Sequence, residues 1–294
     1  MSQQSNELGR YLRARRDMVT PQDVGLPPTP RRRVGGLRRE EVAEIVGLST
    51  DYYVRLEQGR ALHPSDGVLD ALSRALLLGP AERMHLYNLA QTPTGTPNNS
   101  PQHHHRNTLR SSLRHAVCGI HDAPAMIMND RSDVLAWNGL ATALIADFPK
   151  LPPTQRNMAW QIFLNPHAHE IHPDWNDAAR TTVGILRMAA GRHPRDTALK
   201  HLIGELTVGN PTFAKLWSTQ HVHEKTHGPK KFNNRIIGQI SLDYETFHIP
   251  ASDDHQVLVI YTAAPHSPEQ DLLNRLTATM SDKQEISADA STTS

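Results

Sequence analysis

Four polar side chains share one face of a short segment near the start of this chain, over residues 50–58. They are Thr50, Asp51, Arg55 and Gln58. Hydroxyl, carboxylate, guanidinium and amide groups hydrogen-bond the edges of base pairs in the major groove of DNA, or contact its phosphates. Tyr53 and Leu56, three residues apart, would point the opposite way. The spacing therefore predicts a helix with one face on a core and the other available to DNA.

A second short helix and a tight turn would hold this segment in place. The preceding residues carry an apolar stripe at helical spacing: Val42, Ala43, Val46 and Leu48. Gly47 suits the left-handed conformation that ends a helix, Ser49 suits the N-cap of the next helix, and Gly59 suits its end. Pairs of helices joined by a glycine turn also occur in proteins that do not bind DNA, so the spacing alone leaves an ordinary helical hairpin as an alternative.

Two stretches of sequence favour DNA binding. Residues 43–60 resemble the helix-turn-helix of XRE-family, lambda-repressor-like bacterial regulators in the pattern A-E-I-V-G-L-S-x-x-Y-Y-x-R-L-E-Q-G-R. Residues 31–43 resemble the MmyB-like branch of that family in R-R-R-V-G-G-L-R-R-E-E-V-A. Arg38 stands where the wider family often has Ser or Thr before the first helix. We therefore expect Gly35, Gly36 or water to cap that helix.

Positive charge is concentrated around this motif. The whole chain has a formal net charge of +1, but residues 10–60 hold 11 arginines and 7 acidic residues, a local excess of four. Arg31, Arg32 and Arg33 lie in a loop rich in Pro and Gly, where they would contact phosphates or else remain solvated. The residues predicted to contact DNA are Arg31, Arg32, Arg33, Arg38, Arg39, Ser49, Thr50, Asp51, Tyr53, Arg55, Gln58 and Arg60.

Further amphipathic patterns predict an all-α, five-helix DNA-binding domain over residues 1–91, as the lambda-repressor-like resemblance implies. One helix precedes the pair, from about Asn6 to Asp17, and two follow it, opening near Ser65 and at Pro80. Residues 92–107 are rich in Pro, Thr and Asn and predict an interdomain linker. Three consecutive histidines within it are better explained as part of this polar run than as a metal site.

The remaining residues, 108–280, predict an α+β domain, followed by a polar tail at 281–294 that is not expected to fold. Short apolar runs at 125–129 and 133–137 predict a strand hairpin, and alternating runs near 232, 236–247 and 256–261 predict three later strands. Helical patterns cover roughly 109–120, 139–147, 154–164, 174–191, 197–207, 211–221 and 268–280. The result would be a five-stranded antiparallel sheet covered on one face by helices, with room for a pocket between the layers.

This second half resembles the MmyB-like ligand-binding domain. The matching segments include D-V-L-A-W-N-G-L-A, F-L-N-P-H-A, A-A-G-R-H-P-R-D, L-W-S-T-Q-H-V and T-H-G-P-K-K-F. The resemblance implies a PAS-like fold with an internal apolar cavity and a lipid-like ligand.

Residues that would line such a cavity are aromatic side chains and a few polar ones. All four tryptophans lie in this half, where they would serve the core or the cavity, and Asn138, Arg156 and Asn157 would either cap helices or orient a ligand. The predicted ligand-binding residues are Trp137, Asn138, Arg156, Asn157, Phe163, Trp175, Arg187, Trp217, His221 and Tyr244.

Histidine clusters raise the alternative of a metal-dependent enzyme. Residues 223–227 match the zinc motif H-E-x-x-H, but Gly228 and Pro229 would end the helix that such a site requires, and lysines flank it. His167, His169 and His172 are interpreted as loop histidines. Cys118 is the single cysteine, and the sequence contains neither a Gly-rich phosphate loop nor a G-x-S-x-G motif. We therefore predict no catalytic residues, no bound metal and no cofactor.

The sequence is thus interpreted as a bacterial transcription regulator. We expect it to bind double-stranded DNA at an inverted-repeat operator as a homodimer, and to respond to a small apolar, fatty-acid-like ligand. The absence of a signal peptide and of a long apolar run indicates a cytoplasmic protein without a membrane segment. The alternatives are the metal-dependent enzyme and a protein-interaction module that does not bind DNA.

Overall fold

The computed structural model describes residues 3–27, 35–61, 64–90, 109–219, 226–250 and 255–291. The chain divides into two compact units. The first comprises residues 1–100, 187–204 and 214–224, and the second comprises residues 101–186, 205–213 and 225–294.

In the N-terminal part of the first unit, the described residues form five helices. They are α1 (Gln3–Met18), α2 (Arg39–Val46), α3 (Thr50–Glu57), α4 (Asp66–Ala75) and α5 (Pro80–Ala90). The five helices share one core, because each turns an apolar stripe inward. Tyr11, Leu12, Leu56, Leu72 and Leu86 are all fully buried. The predicted five-helix arrangement is confirmed.

The first unit also contains residues from much later in the chain. Met188 is 3% exposed and lies in the same apolar core as the N-terminal helices. His85, on α5, packs edge-on against Tyr11 with ring centroids 4.9 Å apart. A Cβ placed on Gly191 would lie 2.7 Å from Nδ1 of His85, so only glycine allows this close approach. Burial, together with the charges of Arg187 and Arg192, lowers the pKa of His85 to about 3.

After the predicted linker, the described residues form eight helices. They are α6 (Ser111–Cys118), α7 (Gly139–Leu144), α8 (Met158–Phe163), α9 (Ala168–Ile171), α10 (Trp175–Arg192), α11 (Thr197–Gly209), α12 (Pro211–Ser218) and α13 (Pro268–Ser291). Helix α8 begins later than predicted because residues 153–155 form a 3-10 turn, opened by a proline. Helix α9 was not predicted. Helix α13 continues beyond residue 280, into the segment for which the sequence predicts no fold. Among the described residues, no helix is long and apolar enough to cross a lipid bilayer.

Five strands form one antiparallel sheet in the second unit. They are β1 (Ala125–Met128), β2 (Val134–Trp137), β3 (His227–Asn234), β4 (Gly238–His248) and β5 (Val257–Thr262). Their order across the sheet is β2-β1-β5-β4-β3. The predicted hairpin, the three later strands and the antiparallel sheet are confirmed.

The sheet has an apolar inner face because side chains alternate along each strand. Phe232, Ile240, Leu242 and Val259 are buried on this face, where Leu276 of α13 joins them in one core. The opposite face is covered at one end, since α6 forms a smaller apolar cluster with β1 and β2. Helices therefore lie on both faces of the sheet, and the expectation that they cover one face only is wrong.

Candidate nucleic-acid interface and ligand-binding residues

The turn between α2 and α3 has the geometry that the sequence predicts. Gly47 adopts the left-handed conformation, with φ of 73°, and its N–H bonds to the carbonyl of Ala43. Ser49 is the N-cap of α3, and its Oγ accepts a hydrogen bond from the backbone N–H of Tyr52 at 3.2 Å. These two residues fix the angle at which α3 leaves the turn.

The start of α2 is capped differently from the prediction. Arg38 is the N-cap residue, and the carboxylate of Glu41 accepts a hydrogen bond from its backbone N–H at 2.6 Å. The expectation that Gly35 or Gly36 would supply the cap is therefore wrong, because the observed capping bond comes from Glu41. A glutamate three residues into a helix can fold back to the N-cap amide, so the signal was present in the sequence at Glu41.

Helix α3 separates into a buried and an exposed face. Tyr53 and Leu56 are both 0% exposed, so they anchor the helix to the core. The prediction that Tyr53 contacts DNA is wrong, because its side chain is fully buried and has no surface that DNA could touch. The residues of α3 and its ends that are exposed are Ser49, Thr50, Asp51, Arg55, Gln58 and Arg60.

Arg55 lies near the middle of this exposed face. Its Nε lies 3.3 Å from Oδ2 of Asp51, and its guanidinium carbon lies 5.7 Å from the ring centroid of Tyr52. The Arg55 side chain is 52% exposed and that of Asp51 is 81% exposed, so the ion pair contributes little to stability. Breaking this ion pair so that Arg55 can bind DNA would therefore cost little free energy.

A buried ion-pair network, which the sequence analysis missed, holds the end of α3. The side chain of Glu57 is 1% exposed. One of its carboxylate oxygens accepts a hydrogen bond from Nε of Arg16 at 2.6 Å, and the other accepts one from Nε of Arg39 at 2.7 Å. Arg16 also donates to the carbonyl of Leu37 at 2.7 Å. The network therefore joins α1, the segment before α2, α2 itself and α3.

Electrostatics keep this carboxylate ionised. Burial raises the pKa of Glu57, but the hydrogen bonds and the positive charges of Arg16 and Arg39 together lower it more, and the net pKa lies below the ordinary value. Arg39, predicted as a DNA contact, thus has a role inside the protein, while its side chain remains 41% exposed.

Several predicted residues lie outside the described part of the chain. They are Arg31, Arg32, Arg33, the linker 92–107 with its three histidines, His221, and positions 223–225 of the H-E-x-x-H motif.

Two asparagines predicted either to cap helices or to orient a ligand act as caps. Oδ1 of Asn138 accepts from the N–H of Ala141 at 2.9 Å and of Ala125 at 3.1 Å, and its Nδ2 donates to the carbonyls of Ile120 at 2.8 Å and Ala123 at 2.7 Å. Asn138 thereby caps α7 and ties the segment before β1 to the end of β2.

Asn157 is engaged in the same way at the start of α8. Its Oδ1 accepts from the N–H groups of Ala159 and Trp160, and its Nδ2 donates to the carbonyl of Arg131 and the carboxylate of Asp133. All polar atoms of these two amide side chains therefore have partners within the protein, which favours the capping alternative for both.

Arg156 stacks on Trp137, which also packs against Phe148. The guanidinium carbon lies 5.5 Å from the Trp137 ring centroid, and the two aromatic centroids are 5.2 Å apart. Arg156 donates to the carbonyls of Leu151 at 2.9 Å and Pro149 at 3.3 Å. Its guanidinium thus supports the loop before α8.

Other aromatic candidates form two further contacts in the second unit. Phe163 packs edge-on against Trp175, with centroids 5.8 Å apart, and Nε1 of Trp175 donates to the carbonyl of Ile162 at 2.7 Å. Tyr244 of β4 lies beside Tyr261 of the neighbouring strand β5, with ring centroids 6.1 Å apart.

Arg187 and Trp217, both predicted to bind the ligand, belong to the first unit. The Arg187 guanidinium lies 4.1 Å from the Trp217 ring centroid and donates to the Trp217 carbonyl. Burial lowers the pKa of Arg187 to about 10.

His172, interpreted from the sequence as a loop histidine, is buried. It directly follows α9, is 3% exposed, and lies 5.7 Å from the ring centroid of Phe232. In contrast, His167 and His169 are exposed. No group of three or more His, Cys, Asp or Glu side chains in the described ranges is arranged to hold a metal ion.

Two family models match this chain. Residues 109–276, more than half of its length, match the model described as MmyB-like transcription regulator ligand binding domain. Residues 7–86 match the model described as helix-turn-helix domain. No curated protein matches the chain.

Proposed function

This chain belongs to the family of MmyB-like transcription regulators, and from that premise we propose how it recognises DNA and what kind of ligand it senses. It is a DNA-binding transcriptional regulator with a ligand-binding domain. We propose that the exposed face of α3 lies in the major groove of an operator and that ligand occupancy changes operator affinity. A DNA-binding function supports our proposal that the protein acts in the cytoplasm. The descriptions of the two matching models, a transcription regulator ligand-binding domain and a helix-turn-helix domain, support the proposal that it is not an enzyme.

One observation carries the DNA-binding proposal. Helix α3 presents a continuous exposed row of hydrogen-bonding side chains directly over the buried Tyr53 and Leu56. A helix anchored in this way can enter a groove without losing its own packing. The loop arginines at 31–33, with Arg38 and Arg60, would supply phosphate contacts around it.

Replacing Arg55 with alanine should weaken operator binding by roughly 1–3 kcal/mol, because a bidentate contact to a base edge would be lost. Binding to random DNA should change much less. Electrophoretic mobility shifts on DNA from upstream of the protein's own coding region, with random DNA in parallel, measure both effects.

Arg114→Ala is a matched control, since Arg114 is exposed on α6 in the second unit. It should leave both affinities unchanged. If Arg55→Ala weakened binding equally on the two DNAs, Arg55 would instead be a phosphate contact.

We also propose that the protein binds as a homodimer. Helix α3 has eight residues, about 12 Å of helix, and covers a half-site of only a few base pairs. Two copies would bind an inverted repeat whose half-sites are separated by about one turn of DNA or a multiple of it. The two half-sites together would give a recognition sequence long enough to be specific. Light scattering of the complex should give two chains per operator. Tight binding of one chain to a lone half-site would contradict this.

The proposed ligand is apolar and fatty-acid-like. The inner face of the sheet and its covering helices form an apolar layer that includes the candidate lining residues Trp137 and Tyr244. Phe163 and Trp175, which pack against each other, are the other aromatic candidates in the second unit. Each CH₂ group moved from water into such a layer contributes about 0.8 kcal/mol. A long alkyl chain therefore suits it better than a sugar or a nucleotide, whose polar groups would need partners.

Saturated fatty acids of increasing chain length should raise the melting temperature of the full-length protein in a graded series. Differential scanning fluorimetry measures the shift at equal free ligand concentration. Trp137→Ala should reduce the gain. A response that is flat across chain lengths, or stabilisation by nucleotides alone, would exclude a ligand of this class.

A further inference from the structure

The second unit contains a buried imidazole whose position its packing alone does not explain. Nδ1 of His172 has no hydrogen-bond partner among the described residues, although the residue is only 3% exposed. A buried polar group without a partner destabilises the fold, so a folded protein seldom retains one without a use for it. An apolar side chain of similar shape would serve a purely structural role better.

The surroundings of His172 are aromatic and include the cation of Lys230. Helix α9 packs against β3, where Phe232 is fully buried and lies 5.2 Å from Tyr261. Nζ of Lys230 lies 5.8 Å from the Phe232 ring centroid, and the His172 ring lies 5.7 Å from the same centroid. Because Lys230 and Phe232 are two residues apart on one strand, their side chains share a face of the sheet.

His172 is neutral at physiological pH. Burial, assisted by the charge of Lys230, lowers its pKa to about 3. A neutral imidazole has one N–H donor and one acceptor nitrogen. It can donate a hydrogen bond to an anionic oxygen while the lysine supplies the compensating charge, and charge-assisted hydrogen bonds of this kind are the stronger ones.

We propose that His172 and Lys230 form the site for the carboxylate head of the ligand, whose apolar chain lies among the aromatic side chains of the inner sheet face. This assignment rests on the proposed apolar ligand. His172 and Lys230 thus replace Asn138 and Asn157, whose side-chain amides bond within the protein, and Arg156, whose Nε and Nη2 donate to backbone carbonyls. No hydrogen bond to a ligand is needed from them.

Two probes of equal chain length separate the roles of the two residues. Decanoate and 1-decanol are titrated into the full-length protein by isothermal calorimetry. His172→Phe should weaken decanoate binding by roughly 10- to 100-fold and decanol binding by roughly 2- to 10-fold, because each probe loses a hydrogen bond. Lys230→Met should weaken binding of decanoate only, since decanol carries no charge.

Neighbouring residues provide matched controls. His169 is exposed one turn before His172 and packs against Trp175. Lys231 follows Lys230 and pairs with Asp174 at 3.2 Å, with 45% of its side chain exposed. His169→Phe and Lys231→Met should bind both probes as the unmodified protein does.

Nitrogen-15 NMR of histidine-labelled, unmodified protein gives a second measurement that does not depend on the variants folding. The Nδ1 resonance of His172 should move when decanoate is added. If decanoate binds and either this resonance stays fixed or His172→Phe retains full affinity, the assignment is overturned while the apolar ligand stands. If neither probe binds the unmodified protein, the proposed apolar ligand fails and the assignment fails with it.

Discussion

Replacing Glu57 with leucine should destabilise the first unit by about 3 kcal/mol, the lower end of the range for removing one partner of a buried ion pair. The change leaves Arg16, with a side chain 8% exposed, without its main counter-charge. Urea unfolding followed by circular dichroism measures the loss. Operator affinity should fall as well, because Glu57 is the last residue of α3 and its bonds to α1 and α2 hold that helix in place.

Two further variants test the explanation. Arg16→Met combined with Glu57→Leu removes both charges, and should recover much of the stability, since paired apolar replacements of buried ions are often neutral. Glu7→Gln breaks the exposed pair with Arg10 and should change stability by less than about 0.5 kcal/mol. A Glu57→Leu protein as stable as the unmodified one would show that the network contributes nothing.

The stability of the first unit should fall in acid as the carboxylate of Glu57 becomes protonated. Because the pKa of Glu57 in the folded protein lies below its ordinary value, the unfolded chain takes up a proton at a higher pH than the folded one does. The stabilisation is therefore complete above the ordinary glutamate pKa and is lost as the pH falls through the lowered value. The stability of Glu57→Leu should lack this part of the pH dependence.

Replacing Asn138 with alanine should destabilise the second unit by roughly 3 kcal/mol or more. The substitution removes the cap of α7 and leaves the N–H of Ala125 and the carbonyls of Ile120 and Ala123 without this partner, each at a cost of about 1–3 kcal/mol when buried. Thermal unfolding of the full-length protein measures the change.

Asn274 on α13 offers the comparison. It is exposed, and its side chain accepts one hydrogen bond, from Gln270 at 3.1 Å. Asn274→Ala should therefore have little effect. Should the two alanine variants unfold at the same temperature, Asn138 would not be the junction that its four hydrogen bonds indicate.

Sequence patterns predict the elements of this protein well because those elements depend on local periodicity. The spacing of Tyr53 and Leu56 is enough to orient α3, and Gly47 with Ser49 is enough to place the turn before it. The alternation along β4 and β5 likewise predicts strands. Such features depend on residues within one or two turns of each other, or on one strand, and the chain displays them directly.

The residues that hold the elements together were not predictable in this way. Arg16 and Glu57 are 41 positions apart, and nothing in the sequence of either segment shows that they meet. His172 lies in a polar stretch next to prolines, which is typical of a surface loop, and its burial next to Phe232 depends on the packing of α9 on β3. Asn138 was predicted as a possible cap, but its bonds to Ile120 and Ala123 depend on how the segment before β1 returns to it.

The contact between Gly191 and His85 allows a spectroscopic test of whether the first unit needs its residues from 187–204. A fragment cut within the predicted linker would lack Met188 and Gly191, together with the charges at Arg187 and Arg192. His85 would then face water, and its pKa would return toward 6.5. The expected result is one imidazole resonance whose chemical shift changes with pH near neutrality in the fragment but not in the whole protein. Such a resonance would show that the fragment has lost the packing around His85.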